Sequence, residues 1–121
     1  MAGWNRVMFA GNLTRDPEKP RYTPEGSAVL DFCIAVNEKR RGETETLFLE
    51  CTAFGKTAES CAEYLEKGRE ILVEGRLVIE KWIKGGEQRS KIKVLCNGVK
   101  FFGRGNRERG NERESADEID F

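Results

Sequence analysis

The chain has 121 residues and a mass of 13.8 kDa, which is one domain's worth. Its 21 basic and 21 acidic side chains cancel to a formal charge of +0, charged residues make up 35% of it, and the mean hydropathy is -0.61. No run approaches the roughly 18 apolar residues of a spanning helix, periodic apolar segments over residues 1–102 exclude full disorder, and the absence of histidine removes the commonest proton shuttle and metal ligand. Residues 6–13 have a strand pattern. Asp16-Pro17 and Lys19-Pro20 punctuate a loop, and Thr23-Pro24-Glu25-Gly26 is a turn. Residues 27–37 form a second strand, with Leu30, Phe32, Ile34 and Val36 on one face. Residues 37–43 make a charged hairpin loop around Gly42, and 44–54 a third strand. Residues 56–67 are helical, because Ala58, Cys61, Ala62 and Leu65 recur at helical spacing; Thr57 is the expected N-cap and Gly68 the terminator. A fourth strand covers 71–82, a turn 84–87, and a fifth strand 90–101.

Three strands, a helix and two more strands are the layout of the OB-fold. This is an all-β, five-stranded Greek-key barrel with one helix between strands three and four. The expected domain is 1–102. Residues 103–116 offer nothing to bury and are expected to be a disordered linker. Residues 103–121 hold four arginines and six acidic side chains, so the barrel is left slightly basic and the tail slightly acidic. The chain finishes Asp117-Glu118-Ile119-Asp120-Phe121. Such a tip cannot fold alone, but it can place Phe121 in a pocket rimmed by cations, or compete for the basic surface of the barrel. Cys33, Cys51, Cys61 and Cys96 contain no CxxC pair, and without histidine they are expected to be small buried hydrophobes in a reducing compartment. No secretory signal or presequence pattern precedes the first strand, so the expected location is cytoplasmic, with no membrane contact.

Parity is the informative feature. In the third strand Leu47, Leu49, Cys51 and Ala53 share the expected core face, which leaves Phe48 and Phe54 on the wet face with Thr46, Glu50 and Thr52. In the fourth strand Ile71, Val73, Leu77 and Ile79 point inward, which leaves Trp82 outside with Glu74, Arg76 and Glu80. Three large rings on wet faces suit the stacking of unpaired bases, each worth about 1–3 kcal/mol. A bulge that swaps faces, or a subunit interface, would also account for them. Arg15, Arg21, Arg40, Arg41, Lys56, Arg76, Lys81 and Lys84 are candidate phosphate partners. Glu50 and Glu80 lie among them and oppose binding, which makes it weaker or more sensitive to salt.

Gly55-Lys56-Thr57 sits where a phosphate-binding loop would, between strand and helix. The full pattern needs a glycine five positions earlier, where this chain has Glu50. No Ser/His or Cys/His pair exists, so no catalytic residue is nominated, the chain is expected not to be an enzyme, and neither a cofactor nor a metal is implied.

Asn5-Arg6-Val7, Gly11-Asn12-Leu13-Thr14-Arg15-Asp16-Pro17-Glu18, Arg21-Tyr22-Thr23-Pro24, Ala53-Phe54-Gly55-Lys56, Glu63-Tyr64-Leu65-Glu66-Lys67-Gly68 and Val73-Glu74-Gly75-Arg76-Leu77 occur in that order, followed by Lys81-Trp82. This series resembles the bacterial single-stranded DNA-binding proteins, and the acidic tip is similar to theirs. The resemblance implies an OB-fold subunit that assembles as a homotetramer, a dimer of dimers. It implies sequence-independent single-stranded DNA binding in replication, recombination and repair, at the nucleoid. The family's stacking positions fall on Phe48, Phe54 and Trp82, and a further aromatic position on Arg40, where a guanidinium can still stack. Phosphate contacts are assigned to Arg6, Arg15, Arg21, Lys56, Arg76 and Lys81. The tip, Asp117, Glu118, Ile119, Asp120 and Phe121, is implied to recruit replication and repair proteins. This chain departs from the family pattern at Glu50, where the family has a basic residue, at Leu49 in place of a histidine, and at Asp120 in place of a proline. Two other classes are separable by experiment. A protein-interaction module of the replication-restart type would keep its partners after loss of Phe48 and Phe54, and a cold-shock-type RNA binder would favour oligo-U over oligo-dT.

Overall fold

The computed structural model describes residues 3–102. Its elements are β1 (Val7–Leu13), β2 (Arg21–Tyr22), β3 (Ala28–Arg40), β4 (Glu43–Phe54), α1 (Gly55–Tyr64), β5 (Glu70–Lys84) and β6 (Glu87–Phe101). They form one sheet in the order β1-β5-β6-β4-β3-β2, and β1 also pairs with β3. That second pairing, Asn12 with Ala35 and Leu13 with Ile34, closes the sheet into a barrel. All pairings are antiparallel except β4 with β6, where Cys51 lies opposite Val94 and Thr52 opposite Leu95. This is the five-stranded OB-fold barrel, with one helix among the described residues. The two-residue β2 is an addition that extends the β3 edge.

Alternation places the core where the pattern requires it. Leu30, Phe32, Ile34 and Val36 of β3 meet Cys51 and Ala53 of β4, Ile71 and Val73 of β5, and Val94 and Cys96 of β6. Each large aliphatic chain buried this way stabilises the fold by about 1.5–3 kcal/mol. Helix α1 plugs one end of the barrel with Ala58 and Cys61, and Leu65 follows them into the core.

The hairpins are tighter than the sequence suggests. Residues 37–43 are not a loop: β3 and β4 stay paired out to Arg40 and Glu43. Only Arg41 and Gly42 turn, with φ of 55° and 81°, the geometry that matches the strand twist in a two-residue hairpin. Gly85 and Gly86 do the same for β5 and β6, so both strands run past their expected limits. The helix differs as well. It occupies Gly55–Tyr64, not 56–67, and stops where Leu65 turns extended to enter the core. Thr57 is not its N-cap. Phe54 holds that position without a side-chain hydrogen bond, since Gly55, at φ 62°, takes the chain from strand to helix with no intervening loop.

The face expected to be core also outruns the barrel. Leu47 and Ile79 lie on it but are exposed, because the distal halves of the two hairpins have no opposite wall. Ile83 and Ile92 are exposed with them.

Asn5 extends the β1–β5 ladder through its side chain, donating from Nδ2 to the Leu77 carbonyl at 2.7 Å and accepting the Leu77 N–H at 3.0 Å. At Gly75 the ladder between β5 and β6 shifts register, leaving Asn97 without an opposite residue. The backbones approach so closely there that a Cβ on Gly75 would lie 2.0 Å from the Leu95 carbonyl oxygen. Gly75→Ala should therefore lower stability by about 1–3 kcal/mol, as overpacking does. Gly98→Ala, with open space around it, should stay within about 0.5 kcal/mol of the parent in the same urea titration.

Candidate nucleic-acid interface

The outer face of the barrel is assembled by register. On β3 and β4, Val29 lies opposite Phe54, Asp31 opposite Thr52, Cys33 opposite Glu50 and Ala35 opposite Phe48. On β5 and β6, Val78 lies opposite Lys93, Glu80 opposite Lys91 and Trp82 opposite Arg89. The parallel β4–β6 pairing joins the two halves. Phe48 and Phe54 therefore border a charged strip on one side and Trp82 borders it on the other.

All three rings face out: Phe48 is 66%, Phe54 43% and Trp82 38% exposed. Neither a face-swapping bulge nor burial within the barrel accounts for them. The phenylalanines stand six positions apart along the strand, about 20 Å at the usual rise, so they cannot share one base. Trp82 has a cation beside it, with Lys91 Nζ 5.7 Å from the ring centroid.

The strip between the rings is laced with ion pairs. Lys91 bonds to Glu50 and lies 3.8 Å from Glu80, and Lys93 is 3.5 Å from Glu80. Arg21 bonds to Asp31 at 2.6 Å, and the Thr52 hydroxyl donates to the other Asp31 oxygen at 2.7 Å. These groups, with Arg15, line a cleft of about 230 Å³. Burial pushes the Asp31 carboxyl up, but the bonds from Thr52 and Arg21 and the charges of Arg21 and Lys93 outweigh it, so it stays below its ordinary value of 3.8. The bond to Glu50 holds the Lys91 ammonium above its ordinary 10.5, against a smaller opposing effect of burial.

The proposed cations are not all in one place. Arg15 and Arg21 line the cleft, and Arg76 shares the Trp82 face by alternation. Lys81 alternates onto the opposite face, with Ile79 and Ile83. Arg6 pairs with Glu74 beside β1. Lys56 stands on α1 beside Thr57, Ser60 and Val99. Arg40 lies near the β3–β4 turn, 3.5 Å from Glu45 and on the side of the hairpin that carries Leu47. The tip, Asp117 to Phe121, and residues 103–116 lie outside the described residues. Trp4 is almost fully exposed, ahead of β1.

Two cations in the cleft were missed by the sequence reading. Lys91 and Lys93 alternate with Ile92 and Val94, which is the same parity signal that selected Phe48 and Phe54. Read on the last strand, it would have found them.

Three of the four thiols are core groups, whereas Cys33, also expected to be buried, alternates onto the outer face of β3 opposite Glu50. Cys51, Cys61 and Cys96 are buried and Cys33 is half-buried, all four of them free. Desolvation, with a smaller contribution from Cys96, pushes the Cys61 thiol up to about 12, and the bond to Cys96 together with burial raises Cys51. Such thiols are poor nucleophiles at neutral pH. Among the described residues no group of three His, Cys, Asp or Glu is placed to hold a metal ion.

Outward rings around a strip of cations on a closed OB barrel are the combination of features that single-strand-binding surfaces use. The profile of the Single-strand binding protein family matches residues 4–102, and the chain belongs to that family. It is 41% identical over 105 residues to a single-stranded DNA-binding protein of Wolinella succinogenes, covering 82% of this chain and 64% of the relative. It is 45% identical over 112 residues to one of Thermus aquaticus, covering 90% and 42%. With one of Aquifex aeolicus it shares 36% identity over 119 residues, covering 94% and 78%. The chain thus spans less than two thirds of the length of the first two.

Since the folded chain binds the Asp31 proton less readily than the unfolded one, the Asp31 contribution is full above 3.8 and is lost as the pH falls through the lowered value. Asp31→Asn should cost about 1 kcal/mol or less at neutral pH, the group being largely exposed, and urea melts of the two chains should converge in strong acid.

Proposed function

We propose that the chain binds single-stranded DNA without sequence preference and protects it during replication, recombination and repair. The observation that carries this is the outward placement of Phe48, Phe54 and Trp82 around a cation-bearing cleft. Bases stack on the rings, and phosphates reach the Arg15, Arg21, Lys91 and Lys93 cluster. Stacking reads no base edge, so the binding is sequence-tolerant. The work is done by binding, with no catalytic step and no cofactor. No helix among the described residues is long and apolar enough to cross a membrane.

Self-association into a homotetramer, a dimer of dimers, belongs to the same proposal. The exposed Ile79, Ile83 and Ile92 share one face of the β5–β6 hairpin beyond the barrel wall, and Leu47 is exposed on the β3–β4 hairpin; apolar area of this kind is what a subunit contact covers. Recruitment of replication and repair proteins through residues 117–121, and a place at the nucleoid in the cytoplasm, complete it.

Oligo-dT should quench Trp82 emission, with Trp82→Phe separating its signal from that of Trp4. Phe48→Ala, Phe54→Ala and Trp82→Ala should each weaken binding by about 1–3 kcal/mol. Affinity should fall with salt, with a slope of about -0.7 per neutralised phosphate. Unchanged emission at micromolar oligo-dT in low salt, or tight protein partners that survive loss of both phenylalanines while DNA binding stays weak, would overturn the proposal. A marked preference for oligo-U would redirect it to RNA.

A further inference from the structure

The cations at the centre of the proposed interface are already occupied. Lys91 is held by Glu50 and flanked by Glu80, and Lys93 is held by Glu80. None of these four is sealed off: Glu50 is 54% and Glu80 46% exposed, and Lys91 39% and Lys93 16%. Because Lys91 also sits beside the Trp82 ring, a phosphate that reaches it lies next to whatever base stacks there.

We propose that Glu50 and Glu80 act as resident phosphate surrogates, which hold Lys91 and Lys93 until a DNA phosphate displaces them, so that binding takes up protons and releases fewer ions than the lysines engaged would suggest. The inference rests on the single-stranded DNA reading of this face. A displaced carboxylate faces an incoming phosphate of the same sign, and two events relieve the repulsion. It can take up a proton, which makes binding tighter as the pH falls. It can take up a cation, which cancels part of the counterion release and flattens the salt dependence. The opposite outcome, a salt dependence steepened by the carboxylates, is the simpler expectation from their charge.

The surroundings are defined on every side. Glu50 faces Lys91 on β6, with Cys33 opposite it on β3. Glu80 on β5 faces Lys91 and Lys93 on β6. Across the cleft stand Asp31, paired with Arg21, and the loop side chains Arg15 and Glu18. Asp31 differs from them in also accepting from the Thr52 hydroxyl, a bond that remains when a phosphate reaches Arg21. The chain has no histidine, so no imidazole titrates in the useful range.

The experiment is fluorescence anisotropy of a labelled oligo-dT with the full chain, over a salt series at about pH 7.5 and about pH 5.5. The variants are Glu50→Gln, Glu80→Gln, the double variant, and each in a Lys91→Gln background. Thermal melts confirm that all are folded. Parent affinity should rise about three-fold or more on acidification at fixed salt. The double variant should bind more tightly at the higher pH, lose most of that pH dependence, and show a salt slope steeper by about one. The gain from Glu50→Gln should shrink in the Lys91→Gln background, since its partner is gone. A pH-independent parent, a double variant with the parent's profile and slope, or a Glu50→Gln gain untouched by Lys91→Gln would each overturn the exchange while leaving DNA binding intact. A parent that binds no oligo-dT at low salt would overturn the DNA reading and this inference together.

Discussion

Closure of the barrel rests on a short stretch of pairing, Asn12 and Leu13 of β1 against Ala35 and Ile34 of β3. Gly11 makes it possible, because a Cβ there would lie 2.5 Å from the Ala35 carbonyl oxygen. Once the sheet closes, every strand has one face inside and one outside. The interior fills with Leu30, Ile34, Ile71, Val73 and Val94, and the opposite parity must face outward. Leu49 and Ala53, beside the phenylalanines, are held against that interior, whereas Trp82 lies on the distal part of its hairpin, where Lys81 and Ile83 on the other face are exposed as well.

The outward face then carries its own electrostatic compromise. Cations gathered on one strip repel each other and attract polyanions without discrimination. Here Asp31, Glu50 and Glu80 are interleaved with them, so the strip is ordered and close to neutral before any ligand arrives. That local balance mirrors the +0 of the whole chain. A neutral protein can still bind a polyanion if its cations exchange partners, and these ion pairs are exposed enough to exchange.

Much of this was legible in the sequence. Strand parity identified the outward rings, and the order of strands and helix identified the barrel. What escaped has physical causes. Residues 37–43 look like a loop because they are charged, yet backbone pairing continues through charged residues when both faces are wet, and two residues at positive φ then suffice to turn. Leu47 and Ile79 obey the inward parity but lie beyond the end of the barrel, and alternation says nothing about where a barrel stops. Lys81 is adjacent to Trp82 in sequence and opposite to it in space, for the same reason that Lys91, nine residues away, is its neighbour. The pairing of Glu50 with Lys91 depends on the β4–β6 contact between strands distant in the chain, which no local pattern encodes.

The central claim is that nucleobases lie flat against three outward rings. Proton NMR of the ring resonances of Phe48, Phe54 and Trp82, followed while a short oligo-dT is added, tests it most directly. Stacking predicts upfield ring-current shifts at all three that saturate together with complex formation. Ring signals that stay in place while the largest changes map to Ile79, Ile83 and Ile92 would contradict it.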